Sequence, residues 1–115
     1  MRAILAGVLM LGAAPGAGQA QDWLALSGAE IAEILIDRDV IYHTGATQRF
    51  HASGRTLYTH REPSWGTWRV ENNSYCSQWP SAPTWECYAV ESANPDGIVF
   101  LDGYGNRYEG RIVAE

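Results

Sequence analysis

The apolar positions of this chain follow two periods in succession. Ile31, Ile34 and Leu35 fall at i, i+3 and i+4, with Glu30, Glu33 and Asp37 on the other faces, the spacing of a helix with one apolar stripe. Ser27-Gly28-Ala29-Glu30 supplies its start signal: the serine hydroxyl can accept the amide of residue 30 while the glutamate reaches back to the amide of residue 27. Leu26 and Ile31 are spaced for a hydrophobic staple across that cap. The pattern predicts a helix over residues 28–37 with its stripe laid against other apolar groups.

Beyond Asp39 the period shortens to that of strands. Residues 40–43 form a β-rich run, and residues 48–61 form a hairpin around Ala52-Ser53-Gly54, where the glycine suits a left-handed position. Residues 66–70 and 74–78 flank Glu71-Asn72-Asn73, whose asparagines tolerate positive φ. Residues 85–90 make a further strand, stopped by Asn94-Pro95-Asp96-Gly97, and residues 98–101 and 108–113 pair around Asp102-Gly103-Tyr104-Gly105-Asn106. Turns so closely spaced leave no room for crossover helices, so neighbouring strands run antiparallel. The expected fold class is α+β and mostly β: one N-terminal helix packed on an antiparallel meander of about seven short strands, curved or closed into a small lipocalin-like barrel.

The first twenty residues stand apart from this pattern. Arg2, an apolar run over residues 3–14, then Pro15 and small residues ending Gly18-Gln19-Ala20 have the layout of a secretory signal peptide cleaved after Ala20. The run is too short to span a hydrocarbon core of roughly 30 Å as a helix. No cysteine near the cleavage site offers a lipid attachment point. The expected organisation is a signal peptide over 1–20 and a single β-rich domain over 21–115, periplasmic or secreted, with no membrane span.

Charge narrows the partners. Without Arg2, seven basic side chains face thirteen acidic ones, so the net charge moves from −5 to −6, which disfavours a nucleic-acid partner. The chain has no lysine, which removes Schiff-base and P-loop mechanisms.

Cys76 and Cys87 are the two cysteines, with ten residues between them. In an exported chain such a pair is expected to oxidise to one disulfide. A zinc site would need further Cys or His partners at short spacing, and a redox site would need Cys-x-x-Cys. Set opposite each other on consecutive antiparallel strands as a non-hydrogen-bonded pair, their α-carbons would lie about 4.5 Å apart, within disulfide range.

Gly66-Thr67-Trp68, Cys76-Ser77-Gln78-Trp79 and Cys87-Tyr88, with the glycine turns Ser53-Gly54 and Asp96-Gly97, give the order Gly-x-Trp, Cys-x-x-Trp, Cys-Tyr, Asp-Gly. Over roughly residues 26–113 this order resembles a domain-of-unknown-function family of small exported bacterial proteins. The resemblance implies a secreted β-rich fold and brings no catalytic motif.

Candidate chemistry is sparse. His43, His51 and His60 all lie in the first β segment and would suit zinc or copper if strand pairing brought them to one face. A one-residue slip would turn one of them away. Hydrolase chemistry lacks a Gly-x-Ser-x-Gly context, and the acidic residues Glu62, Glu71, Glu86, Glu91, Asp96 and Asp102 fall in turns or alternate strand positions. The stretch from Gly103 to Gly110 leads into a strand near the chain end, not into a helix as a phosphate loop would.

Aromatic content is the main functional signal: five tryptophans and six tyrosines. Trp65, Trp79 and Trp85 sit beside or near prolines and are expected in or near loops, forming a platform for a ligand or partner. The expectation is a small exported, non-catalytic envelope protein without a cofactor, binding a small ligand or an envelope protein through these three rings. Metal binding or metal-dependent catalysis through the histidines, or a structural or inhibitory module, are the alternatives.

Overall fold

The computed structural model describes residues 22–114. The signal peptide expected over 1–20, with its cleavage point, lies outside the described residues. One helix and nine strands follow in the order β1 (Leu24–Ala25), α1 (Gly28–Leu35), β2 (Asp39–Tyr42), β3 (Thr47–Phe50), β4 (Arg55–His60), β5 (Glu62–Glu71), β6 (Ser74–Trp79), β7 (Ala82–Ala93), β8 (Gly97–Leu101) and β9 (Arg107–Ile112). From β2 to β9 each strand pairs antiparallel with the next, and β9 returns to β2 through Val40↔Ile112, Ile41↔Arg111 and Tyr42↔Gly110. The meander therefore closes into an eight-stranded up-and-down barrel, which leaves its ring without an open edge. β1 lies outside the ring: Leu24 and Ala25 pair with Ser92 and Glu91, in the part of β7 beyond its pairing with β6.

Helix α1 stops one end of the barrel. Its capping box is formed, with Glu30 N–H donating to Ser27 Oγ at 3.2 Å and Ser27 N–H donating to Glu30 Oε1 at 2.8 Å. Its start is fixed to the barrel by Gly28 N–H, which donates to Asn73 Oδ1 at 2.8 Å in the β5–β6 turn. The helix ends earlier than the 28–37 pattern predicts, because Asp37 takes a φ of 59° and turns the chain into β2. Ile31 and Leu35 are fully buried and join Phe50, Trp68, Val90, Ile98 and Ile112 in one apolar cluster. The stripe thus closes the end of a tube where an open meander would have used it to cover a face.

Turn positions agree with the sequence pattern. Gly54, Asn72 and Gly105 all have positive φ, at the β3–β4, β5–β6 and β8–β9 connections. Strand lengths depart from it. β5 begins at Glu62 and β7 at Ala82, so Trp65 and Trp85, expected in or near loops, stand inside strands. Pro63 and Pro83 lie in the first residues of those strands, where a missing amide donor is tolerated.

Cys76 and Cys87 are directly opposite each other on β6 and β7, with α-carbons 4.0 Å apart, and are joined by a disulfide. The bond closes a loop of sequence separation 11, and in the chain-entropy picture a loop of that size contributes about 3 kcal/mol.

Alternation along the strands sorts the side chains. Phe50, Trp68, Val90 and Ile98 point inward, while Arg49, Arg55, Arg69, Glu91 and Arg111 take the opposite phase. Trp65 and Trp85 share that outer phase, and the charges among these outer positions break up the continuous apolar belt of a barrel that meets lipid. Among the described residues no helix is long and apolar enough to cross a membrane.

Candidate ligand-binding cavity

The end of the barrel away from α1 holds a cavity of about 1080 Å³. Period-two alternation makes it: Tyr42 on β2, Gln48 on β3, Tyr58 on β4, Tyr75 and Ser77 on β6, Tyr88 on β7, and Phe100 on β8 all line it. Five rings pack on one another around the wall. Tyr42 meets Tyr58 at 6.2 Å and Phe100 at 6.0 Å between centroids, and Tyr75 meets Phe100 at 5.1 Å and Tyr88 at 5.9 Å. Three of these pairs are tilted and Tyr75 meets Phe100 edge-on, which lines the space with ring surfaces.

Its floor is polar and linked by hydrogen bonds. Thr56 Oγ1 donates to the Arg49 carbonyl at 2.8 Å, so the Gln48 atom that faces it at 2.9 Å must be the amide nitrogen. That orientation makes Gln48 Nε2 donate also to Tyr75 Oη at 3.0 Å, and makes Gln48 Oε1 accept from Tyr42 Oη at 2.6 Å. Gln48, Thr56 and Ser77 are buried; the first two belong to this linked set, and the Ser77 hydroxyl adjoins it at Tyr75. Burial pushes Tyr42 well above the ordinary tyrosine range and Tyr75 up to about 12. Tyr88 also rises to about 12, through burial first and then the charge of Glu86. Burial therefore holds these three phenols in their neutral form.

The three tryptophans take three different places. Trp79 lines the cavity: its Nε1 donates to Ser77 Oγ at 3.2 Å, and its ring stands edge-on to Tyr58 at 6.2 Å. A β-carbon on Gly66 would fall 2.5 Å from Trp79 Cε3 and 2.8 Å from the Gln78 carbonyl, so the glycine is what admits this indole to the interior. Trp65 belongs to the rim, 44% exposed, with its ring stacked on His51 at 5.7 Å and under the Arg55 guanidinium at 4.6 Å. Trp85 is not among the cavity residues; it packs under Arg69, 4.0 Å from ring centroid to guanidinium, beside the disulfide.

The histidines do not converge. His43 lies at the mouth with Nδ1 3.9 Å from Glu109 Oε1, His51 is stacked on Trp65, and His60 ends β4. Among the described residues, the group of His, Cys, Asp and Glu with ligand atoms close together is Glu71, Cys76 and Cys87, whose sulfurs are joined to each other.

At the mouth, Arg107 is held by Glu109, Nε to Oε2 at 3.2 Å, and stacks toward Trp23 at 5.5 Å. Tyr108 donates to Asp102 Oδ2 at 3.1 Å, and Asp102 is anchored in turn by Asn106.

Sequence reasoning missed Tyr42, Gln48, Tyr58, Tyr75 and Tyr88. Their signal was phase: each sits at the inward position of its strand, which becomes visible once register is known. Compared with models of protein families, with curated proteins and with solved structures, the chain gives no match. The reading of the cavity rests on its own geometry.

Proposed function

We propose that this protein is a non-catalytic binder of a small, apolar ligand, which it holds in the open half of the barrel, and that it acts outside the cytosol. The supporting observation is the aromatic cavity of about 1080 Å³, open at one end and stopped at the other by α1. That size suits a drug-sized molecule, and a mostly apolar concavity with a few convergent polar groups is the usual form of a ligand site. The buried polar groups of the floor are engaged with one another, which suits recognition better than proton transfer. The disulfide supports an oxidising compartment.

N-phenyl-1-naphthylamine, a neutral dye that brightens in apolar surroundings, tests this reading. It should bind with one-to-one stoichiometry and quench Trp79 emission. Ser64→Trp, which sets an indole at a cavity-lining position of the mouth, should weaken binding at least tenfold while the far-ultraviolet circular dichroism stays unchanged. An absence of saturable binding to the unaltered protein, or equal binding by the blocked variant, would refute it.

A further inference from the structure

The floor of the cavity carries one hydroxyl proton more than its own groups accept. Thr56 spends its proton on the Arg49 carbonyl, which fixes the Gln48 amide so that its nitrogen points at Tyr75 Oη, 3.0 Å away. The Tyr75 oxygen therefore receives a hydrogen bond from Gln48. The Ser77 hydroxyl, which itself accepts the Trp79 indole N–H at 3.2 Å, lies beside it, and the two hydroxyls can share one hydrogen bond in either direction. Whichever of the two donates, the other's proton has no acceptor among the described residues, and when Ser77 donates that proton is the phenol's own. Tyr75 is 4% exposed, and it lines the cavity. A buried hydroxyl in that state is costly until something accepts from it.

We propose that the cavity selects a flat molecule without negative charge, bearing a carbonyl or ether oxygen at its leading end, and that the Tyr75 hydroxyl is the donor that reads that oxygen. This inference rests on the cavity being a ligand site. Flatness follows from the walls, where Tyr42, Tyr58, Trp79, Tyr88 and Phe100 present rings on several sides. Absence of negative charge follows from the counter-ions. The chain has no lysine, and the cavity-lining Arg107 is already committed to Glu109 at 3.2 Å. A carboxylate driven to the floor would lose its water and meet a single neutral phenol, which does not offset the desolvation of an ion. A ketone, aldehyde, ester, amide or ether loses far less and gains the whole bond.

Three naphthalenes of like shape separate these terms: 2-acetylnaphthalene, 2-isopropylnaphthalene and 2-naphthoate, titrated calorimetrically into the full domain. The ketone should bind roughly fivefold more tightly than the hydrocarbon, the worth of one neutral hydrogen bond, and the carboxylate should bind most weakly. Tyr75→Phe should bring ketone and hydrocarbon to equal affinity. A measurement on the unaltered protein stands beside the variant, in case Tyr75→Phe unfolds: the infrared carbonyl stretch of bound, carbonyl-labelled 2-acetylnaphthalene should lie below its position in hexane, as it does when the oxygen accepts from a phenol. If none of the three compounds binds, the cavity reading itself falls and this inference with it. If they bind but ketone and hydrocarbon are equal, the preference survives Tyr75→Phe, the carboxylate binds best, or the stretch is unshifted, the cavity reading stands and the role of Tyr75 is overturned.

Discussion

Gly66 shows how one missing side chain shapes the site. Its place opposite Thr56 on β4 turns it inward, and the Trp79 ring occupies the space a β-carbon would need, 2.5 Å from that position. Gly66→Ala should therefore cost about 1–3 kcal/mol by overpacking and rotate Trp79 away from Ser77. Urea unfolding would give the cost, and a red shift of tryptophan emission would report the displaced ring; an unchanged midpoint and spectrum would show the contact to be slack. The residues least legible in the sequence are those of the floor. Gln48 looks like an ordinary polar strand residue until Thr56 and Tyr75, eight and twenty-seven positions away, are brought to its amide. Register places them, and a slip of one residue would have sent Gln48 to the outer face.

At the scale of elements, the helix and the hairpins were legible because their causes are local. The Ser27–Glu30 capping box, the Gly54 and Asn72 turns and the apolar stripe of Ile31 and Leu35 each act within a few residues of themselves. Strand ends were less so. Trp65 and Trp85 were expected in or near loops because prolines stand two residues before each, yet β5 and β7 take in both proline and ring; pairing to neighbours through Leu57↔Trp65 and Ser77↔Glu86 extends them past what local preference supports. The helix contributes by plugging more than by covering, so its inner face carries the energy. Leu35→Ala should cost about 2–5 kcal/mol, the range for a buried leucine that leaves a hole, while Ser27→Ala should cost about 1 kcal/mol through the lost cap. Thermal or urea melts of the two variants would rank them, and a cap loss as large as the core loss would contradict the plug.

At the scale of the whole molecule, the buried phenols couple stability to alkaline pH. Tyr75 ionises near 10 when unfolded and near 12 when folded, because burial disfavours the phenolate. A raised acid favours the folded state fully below pH 10, and the advantage is lost as pH climbs toward 12. Two pH units correspond to about 3 kcal/mol from this group, and Tyr42, also raised by burial, adds in the same direction. Urea midpoints should hold steady from pH 7 to 9.5 and fall steeply from 10 to 12, and Tyr75→Phe should flatten part of that fall. A flat profile through pH 12 would mean the phenols are reached by water. Closure of the ring was legible only as an alternative, since it depends on β9 finding β2 some seventy residues earlier in the chain. With α1 seated in one end, that ring becomes a cup and not a conduit. If the cavity holds a ligand as proposed, that guest leaves through the doorway by which it came, so its residence would be set by the rim around Trp79 and Tyr108.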